Sequence, residues 1–165
     1  MWRIVIVLCM YVVAAFPGVS AEAGTGYPSA VPDSGKVIGS VKSLRGDAAL
    51  LREGRKIVPE PGTRLYQSDT LQTGKDGAMG IILRDDTALS IGPSSELALK
   101  EFVFRPKEGL FSSVTRFVRG TLVYISGRIA RLSPNSVKVE TPVGIAAVRG
   151  TKFLVKIDEQ AGSTP

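Results

Sequence analysis

The sequence predicts a mainly β protein: a single domain of short strands and hairpins, twisted into a solenoid-like coil, with one short helix near residues 110–118. Three observations lead there. From Val37 onward, short apolar segments alternate with turn residues every eight to twelve positions, the pattern of strands separated by tight turns. An Arg-Gly step enters an apolar segment three times, at Arg45-Gly46, Arg119-Gly120 and Arg149-Gly150. A recurring corner suggests coil-like stacking of short strands. The length, 165 residues, is that of one domain.

The chain opens with Met1-Trp2-Arg3, a short basic stretch, followed by an uncharged apolar run from Ile4 to Phe16. Pro17-Gly18 breaks the run, and Val19-Ser20-Ala21 supplies the small residues that precede signal-peptidase cleavage. Residues 1–21 therefore read as a signal peptide, and the protein as periplasmic or secreted. The run is shorter than the ~20 apolar residues of a spanning helix, so contact with a membrane is expected only if the segment stays uncleaved. Residues 22–36, "EAGTGYPSAVPDSGK", hold few apolar residues and read as a flexible leader. Residues 37–158 form the β domain, and 159–165 a disordered tail.

Within the domain, "VIGSVKSL", "DAALLRE", "TLQTG", "AMGIILR", "TALSIG" and "LALKEFVF" read in turn as strands. "GLFSSVTRFVRG" departs from them. Its apolar residues Leu110, Phe111, Val114, Phe117 and Val118 fall at helical offsets, and Gly120 offers a stop. Further on, "VGIAAV" between Pro142 and Arg149 is small and apolar, which suits a buried strand.

Composition excludes much chemistry. The chain has no histidine and a single cysteine, Cys9, inside the apolar run. A Ser-His-Asp triad, a Cys-His dyad and a structural zinc site are all unavailable to the domain, as are disulfides. We expect no catalysis, no cofactor and no transition-metal site. The net charge is +6, but the basic residues are dispersed among apolar ones, without the aromatic interleaving of a nucleic-acid surface. No nucleic-acid partner is expected. A weak attraction to anionic envelope polymers is compatible with the charge.

The polar motifs read as turns. Arg45-Gly46-Asp47 matches an adhesion tripeptide, yet its glycine stands where a strand must turn. Asp85-Asp86, between two apolar runs, reads as an exposed hairpin tip, where Asp tolerates positive φ. These adjacent carboxylates could at most collect a loosely held hard cation, and an enzyme would need them to converge with Asp69. "TGKDG" at Thr73 to Gly77 lacks the spacing of a phosphate loop. "GPSSE" at Gly92 to Glu96 reads as a turn whose hydroxyls satisfy backbone donors. Pro142 removes a donor and ends a strand at Thr141. Gly150 permits a φ closed to β-branched residues, and Arg149 is expected to tie that corner.

Taken together, these segments resemble the FecR domain, named for the ferric-citrate regulator of Gram-negative bacteria. A G-x-x-L-x-x-x-D-x-L-x-T-G element is matched by Gly62, Leu65, Asp69, Leu71, Thr73 and Gly74. A closing T-P…R-G-T-x-F signature is matched by Thr141, Pro142, Arg149, Gly150, Thr151 and Phe153. The family's hairpin glycine is Asp86 here. The resemblance spans roughly Val37 to Asp158 and implies a twisted, solenoid-like β fold in the periplasm, with a signalling or interaction role. A full regulator carries a cytoplasmic sigma-factor-binding segment and a membrane helix ahead of this domain. Here a signal-peptide pattern stands in that place, so no anti-sigma segment is expected. The expected function is a non-catalytic binding or signalling module of the cell envelope, whose partner is an envelope protein or a surface polymer. The alternative is an adhesin or polysaccharide-binding accessory protein.

Overall fold

The computed structural model describes residues 35–148 and 152–158. The expected signal peptide, most of the expected leader, the expected tail and the Arg149-Gly150-Thr151 step lie outside the described residues.

Twelve strands follow in chain order: β1 (Val37–Arg45), β2 (Ala48–Arg52), β3 (Arg55–Ile57), β4 (Arg64–Tyr66), β5 (Thr70–Thr73), β6 (Ala78–Leu83), β7 (Ala88–Ile91), β8 (Glu96–Arg105), β9 (Leu110–Ile125), β10 (Val137–Thr141), β11 (Gly144–Ala147) and β12 (Lys152–Ile157). A short α-helix, α1 (Arg128–Leu132), follows β9. The strands form two ladders that share β9. One runs β4-β1-β6-β7-β9-β12, through residues 120–125 of β9. The other runs β3-β2-β5-β8-β9-β10-β11, through residues 110–119. The result is a curled half-barrel, with the two ladders facing each other across one core. Successive parallel coils, which the solenoid-like expectation implied, are not what the described pairings show. All are antiparallel except β9 with β10.

The core follows from period-two alternation. β6 alternates half-buried and buried along its length, with Met79, Ile81 and Leu83 inward. Leu50, Leu71, Leu97, Leu99 and Phe117 come from one ladder, and Val41, Leu89, Ile91, Leu122 and Tyr124 from the other. Burying each such aliphatic side chain contributes about 1.5–3 kcal/mol. Before β9 the chain crosses repeatedly between ladders, at Gly46-Asp47, around Ser68-Asp69, at Gly74–Gly77 and at Gly92–Ser95. These crossings are the corners that the Arg-Gly repeats and polar turns foreshadowed.

Three expectations need correction. Residues 110–118 are not a helix but the first half of β9, a 16-residue strand. Its buried positions there are Ser113, Thr115 and Phe117. Two of the three are hydroxyls, while Leu110, Val114 and Val118 point the other way, so hydrophobicity took on a false helical period. The helix lies further on, at α1. Second, Gly144 to Ala147 of "VGIAAV" is exposed along its whole length, Val143 is 88% exposed, and only Val148 is buried. Third, Asp85 of the hairpin tip is not exposed: its relative accessibility is 0%.

β9 changes ladder at Gly120, where φ is +92°. A Cβ there would lie 2.0 Å from Ser95 Oγ and 2.6 Å from Ser95 Cα. Only glycine fits both the dihedral and the contact. Ser95, in turn, accepts the Thr121 N–H at 3.0 Å and donates to the Pro93 carbonyl at 3.1 Å.

Candidate functional site

The motif carboxylate Asp69 sits in the turn between β4 and β5 and is 1% exposed. Burying an ionised carboxylate requires a cation or several donors, and Asp69 has both. Arg52 of β2 approaches it side-on, with Nε donating to Oδ1 at 2.8 Å and Nη2 to Oδ2 at 2.9 Å. The Tyr66 N–H donates to Oδ2 at 2.8 Å. The same guanidinium donates to the Arg64 carbonyl at 2.9 Å and lies 4.4 Å from the Tyr66 ring centre. Its hydrogen bond with Asp69 pushes the Arg52 guanidinium above its ordinary pKa. One bidentate pair thus ties β2, β4 and β5 together.

Thr73 and Gly74 hold the next crossing. Thr73 Oγ1 donates to the Gly92 carbonyl at 2.6 Å and accepts the Ser95 N–H at 2.9 Å. Gly74 donates its N–H to the Asp47 carbonyl at 2.9 Å, and its own carbonyl accepts from Gly77 and Ser94. Both residues serve the backbone of neighbouring corners, which leaves "TGKDG" a junction between ladders.

Asp85 and Thr87 hold the far end. The Asp85 carboxylate accepts the Thr87 hydroxyl at 2.7 Å, the Thr87 N–H at 3.2 Å and the Ile129 N–H at 3.4 Å. Its carbonyl accepts the Arg128 N–H at 2.6 Å. Thr87 Oγ1 accepts the Gly127 N–H at 3.1 Å. The first turn of α1 has donors with no partner in their own helix, and the β6–β7 hairpin, some forty residues earlier, satisfies them. Gly127 permits this approach, because a Cβ would sit 2.3 Å from the Asp85 carbonyl. Asp86 is the true tip, exposed and with φ +67°. Asp69 and Asp85 thus occupy different corners with separate partners. No cluster of three or more metal-ligating side chains occurs among the described residues.

Of the closing signature, Thr141 ends β10 and donates from Oγ1 to the Gly144 carbonyl at 2.8 Å. Pro142 and Val143 form the two-residue turn into β11. Phe153 of β12 stacks on buried Tyr124 with centroids 5.0 Å apart and planes at 11°. Burial pushes the Tyr124 phenol up to about 12.

Sequence reasoning missed Arg52, Thr87 and the lock between Ser95 and Gly120. A buried motif carboxylate needs a cation, and a β2 arginine was the signal available. D-x-T at Asp85 to Thr87 was an Asx-turn signal for the second.

Between the two motif segments lies an open groove of about 770 Å³ on the outer side of the second ladder. Ser68 lines it beside Asp69, Pro142 lines it at the closing signature, and Thr70, Glu96, Lys100 and Arg116 supply its polar wall. Arg116 is 57% exposed and only 3.9 Å from Glu140. Loose surface pairs of this kind contribute little to stability, so they leave the charges open to a partner.

A family model described as FecR protein matches residues 69–164. No curated protein and no solved structure matches the chain. The match begins at the buried carboxylate Asp69 and includes the Thr73-Gly74 junction and the whole closing signature. It covers more than half of the 165 residues, and the chain belongs to the FecR family.

Proposed function

We propose that this protein is a signalling module of the cell envelope that acts by binding another envelope protein in the groove beside Pro142, without catalysis. FecR-family domains are regulatory and envelope-associated in general. One observation supports the assignment to the groove: both motif segments border it while their own polar groups are engaged within the protein. Asp69, Thr73 and Thr141 are committed to Arg52, to backbone groups and to turn closure. Outside them stand Lys100, Arg116 and Glu96, a mixed-charge wall suited to orienting a protein partner. Export through a signal peptide ending at Ala21 is part of the same proposal.

The test is site-specific photo-crosslinking in living cells, with the reactive group at Thr70 or Ala98 in the groove wall and a control at Lys56. We expect one discrete protein adduct from the groove positions, lost in a Lys100→Glu/Arg116→Glu protein. The absence of a protein adduct, together with saturable binding to purified surface polysaccharide, would replace this reading with the accessory role at the cell surface.

A further inference from the structure

The molecule has four edge strands among its described residues: β3, β4, β11 and β12. An edge strand presents unpaired N–H and C=O groups to other chains, and proteins guard such edges with charge. Arg55 and Lys56 guard β3, Arg64 guards β4, and Lys152 and Lys156 guard β12. β11, Gly-Ile-Ala-Ala, carries no charge, although it is longer than β3 or β4 and exposed throughout.

We propose that β11 pairs antiparallel with β11 of a second copy of this chain, about a twofold axis at Ala146. The backbone phase sets which groups are offered. Thr141 pairs with Gly144 across the two-residue turn, and the Val148 N–H donates to the Val137 carbonyl at 3.1 Å. Residues 144, 146 and 148 therefore face β10. The N–H and C=O groups of Ile145 and Ala147 point to the free side. A twofold axis at Ala146 sets Ile145 opposite Ala147 of the other copy, twice, and all four outward-facing residues are then hydrogen-bonded.

Hydrogen bonding selects this register over its neighbour. With the axis at Ala146 both outward-facing residues, Ile145 and Ala147, find partners within the strand. An axis at Ile145 would instead set Ala147 opposite Val143 of the turn, so that only Ile145 would be paired within the strand. The small side chains of Gly144, Ala146 and Ala147 let two strands approach, and no like charges meet along the edge. The strand is short, well below the ~800 Å² per partner of a standard interface, so the dimer is a weak one.

The full chain, with Cys9→Ser so that an introduced thiol is unique, is examined by sedimentation equilibrium from ~10 μM to ~1 mM, the range of weak contacts. We expect a monomer–dimer equilibrium whose dissociation constant rises at least tenfold in Ala147→Lys and in Ile145→Lys. Leu154→Lys, which adds the same charge on the guarded edge β12, should leave it unchanged. Ala146→Cys should form a disulfide dimer under mild oxidation. Residues opposite each other in a non-hydrogen-bonded pair have Cα atoms about 4.5 Å apart, within the reach of a disulfide. Circular dichroism checks that each variant is folded. A folded protein that stays monomeric throughout overturns the proposal. So does a dimer indifferent to Ala147→Lys, or a monomer whose β11 captures an unrelated extended peptide. The outcome is independent of the signalling role, which concerns the groove.

Discussion

Gly120 is the residue on which the two ladders hinge, and its replacement gives the sharpest energetic test of the fold. In Gly120→Ala two costs combine. The first is the dihedral: φ of +92° is strained for any residue with a Cβ, by about 1–3 kcal/mol. The second is contact, since the new Cβ would lie 2.0 Å from Ser95 Oγ. Relieving it means displacing Ser95, which holds the Thr121 N–H and the Pro93 carbonyl, and a buried polar group left without its partner costs about 1–3 kcal/mol. The total comes to about 4 kcal/mol. Gly54→Ala isolates the first cost, because Gly54 has φ +76° and nothing within 4 Å of its would-be Cβ. It should lose about 1 kcal/mol. Urea unfolding followed by circular dichroism compares them. With a slope of ~1.5 kcal/mol/M, the two midpoints should differ by about 2 M. Ser95→Gly should not rescue Gly120→Ala, because Ser95 Cα itself stands 2.6 Å from the new atom. Equal midpoints for Gly54→Ala and Gly120→Ala would refute the close-approach reasoning.

Other perturbations address the remaining corners. Arg52→Ala strands the buried Asp69 carboxylate and should cost about 3 kcal/mol in urea unfolding, the low end for a broken buried pair, because Arg52 is 29% exposed. Asp85→Ala leaves the Thr87 hydroxyl and the Ile129 N–H without their acceptor and should lose about 2–3 kcal/mol. Asp86→Asn, at an exposed left-handed position, should stay within about 0.5 kcal/mol of the parent; thermal unfolding distinguishes the two. The Tyr124 phenol titrates near 10 when unfolded and at about 12 when folded. Stability is therefore whole below pH ~10 and falls as the pH rises toward 12, because the unfolded chain releases a proton that the folded one keeps, by about 2–3 kcal/mol. Tyr124→Phe should flatten that part of the pH–stability curve.

How far the sequence anticipated this molecule depends on the range of the determining contact. The Asp85-Asp86 hairpin was readable because its signal is local: two polar residues between two apolar runs, with Asp86 at positive φ. The ladder crossings at Gly46 and Gly120 were foreshadowed by the Arg-Gly repeats for the same reason. What was hidden depends on distant partners. The α1 helix has five residues, too few for a periodic signal, and its first donors are satisfied by Asp85 and Thr87. Asp69 was readable as a motif residue, but its partner Arg52 is seventeen positions upstream. Residues 110–118 misled because Ser113 and Thr115 face the core while apolar side chains face outward. "VGIAAV" misled because small apolar residues suit an unguarded edge as well as an interior.

The sharing of β9 also constrains the order in which this molecule can be completed. Strands β4-β1-β6-β7 and β3-β2-β5-β8 are all made from residues 37–105. Before residue 110 is available they are two separate four-stranded pieces with no strand hydrogen-bonded to both. β9 pairs with β7 and β8 at once, so it acts as a seam that closes both pieces in one event. A chain delivered from its N-terminus therefore passes through a stage in which β7 and β8, interior strands of the finished protein, are raw edges. Leu89, Ile91, Leu97 and Leu99, buried in the end, belong to those edges, where aggregation competes with closure. The long-range pairing that ends this stage is of the kind that folds slowly. For such a chain, an interruption between residues 105 and 125 is more hazardous than one after β12, where little remains to be sealed.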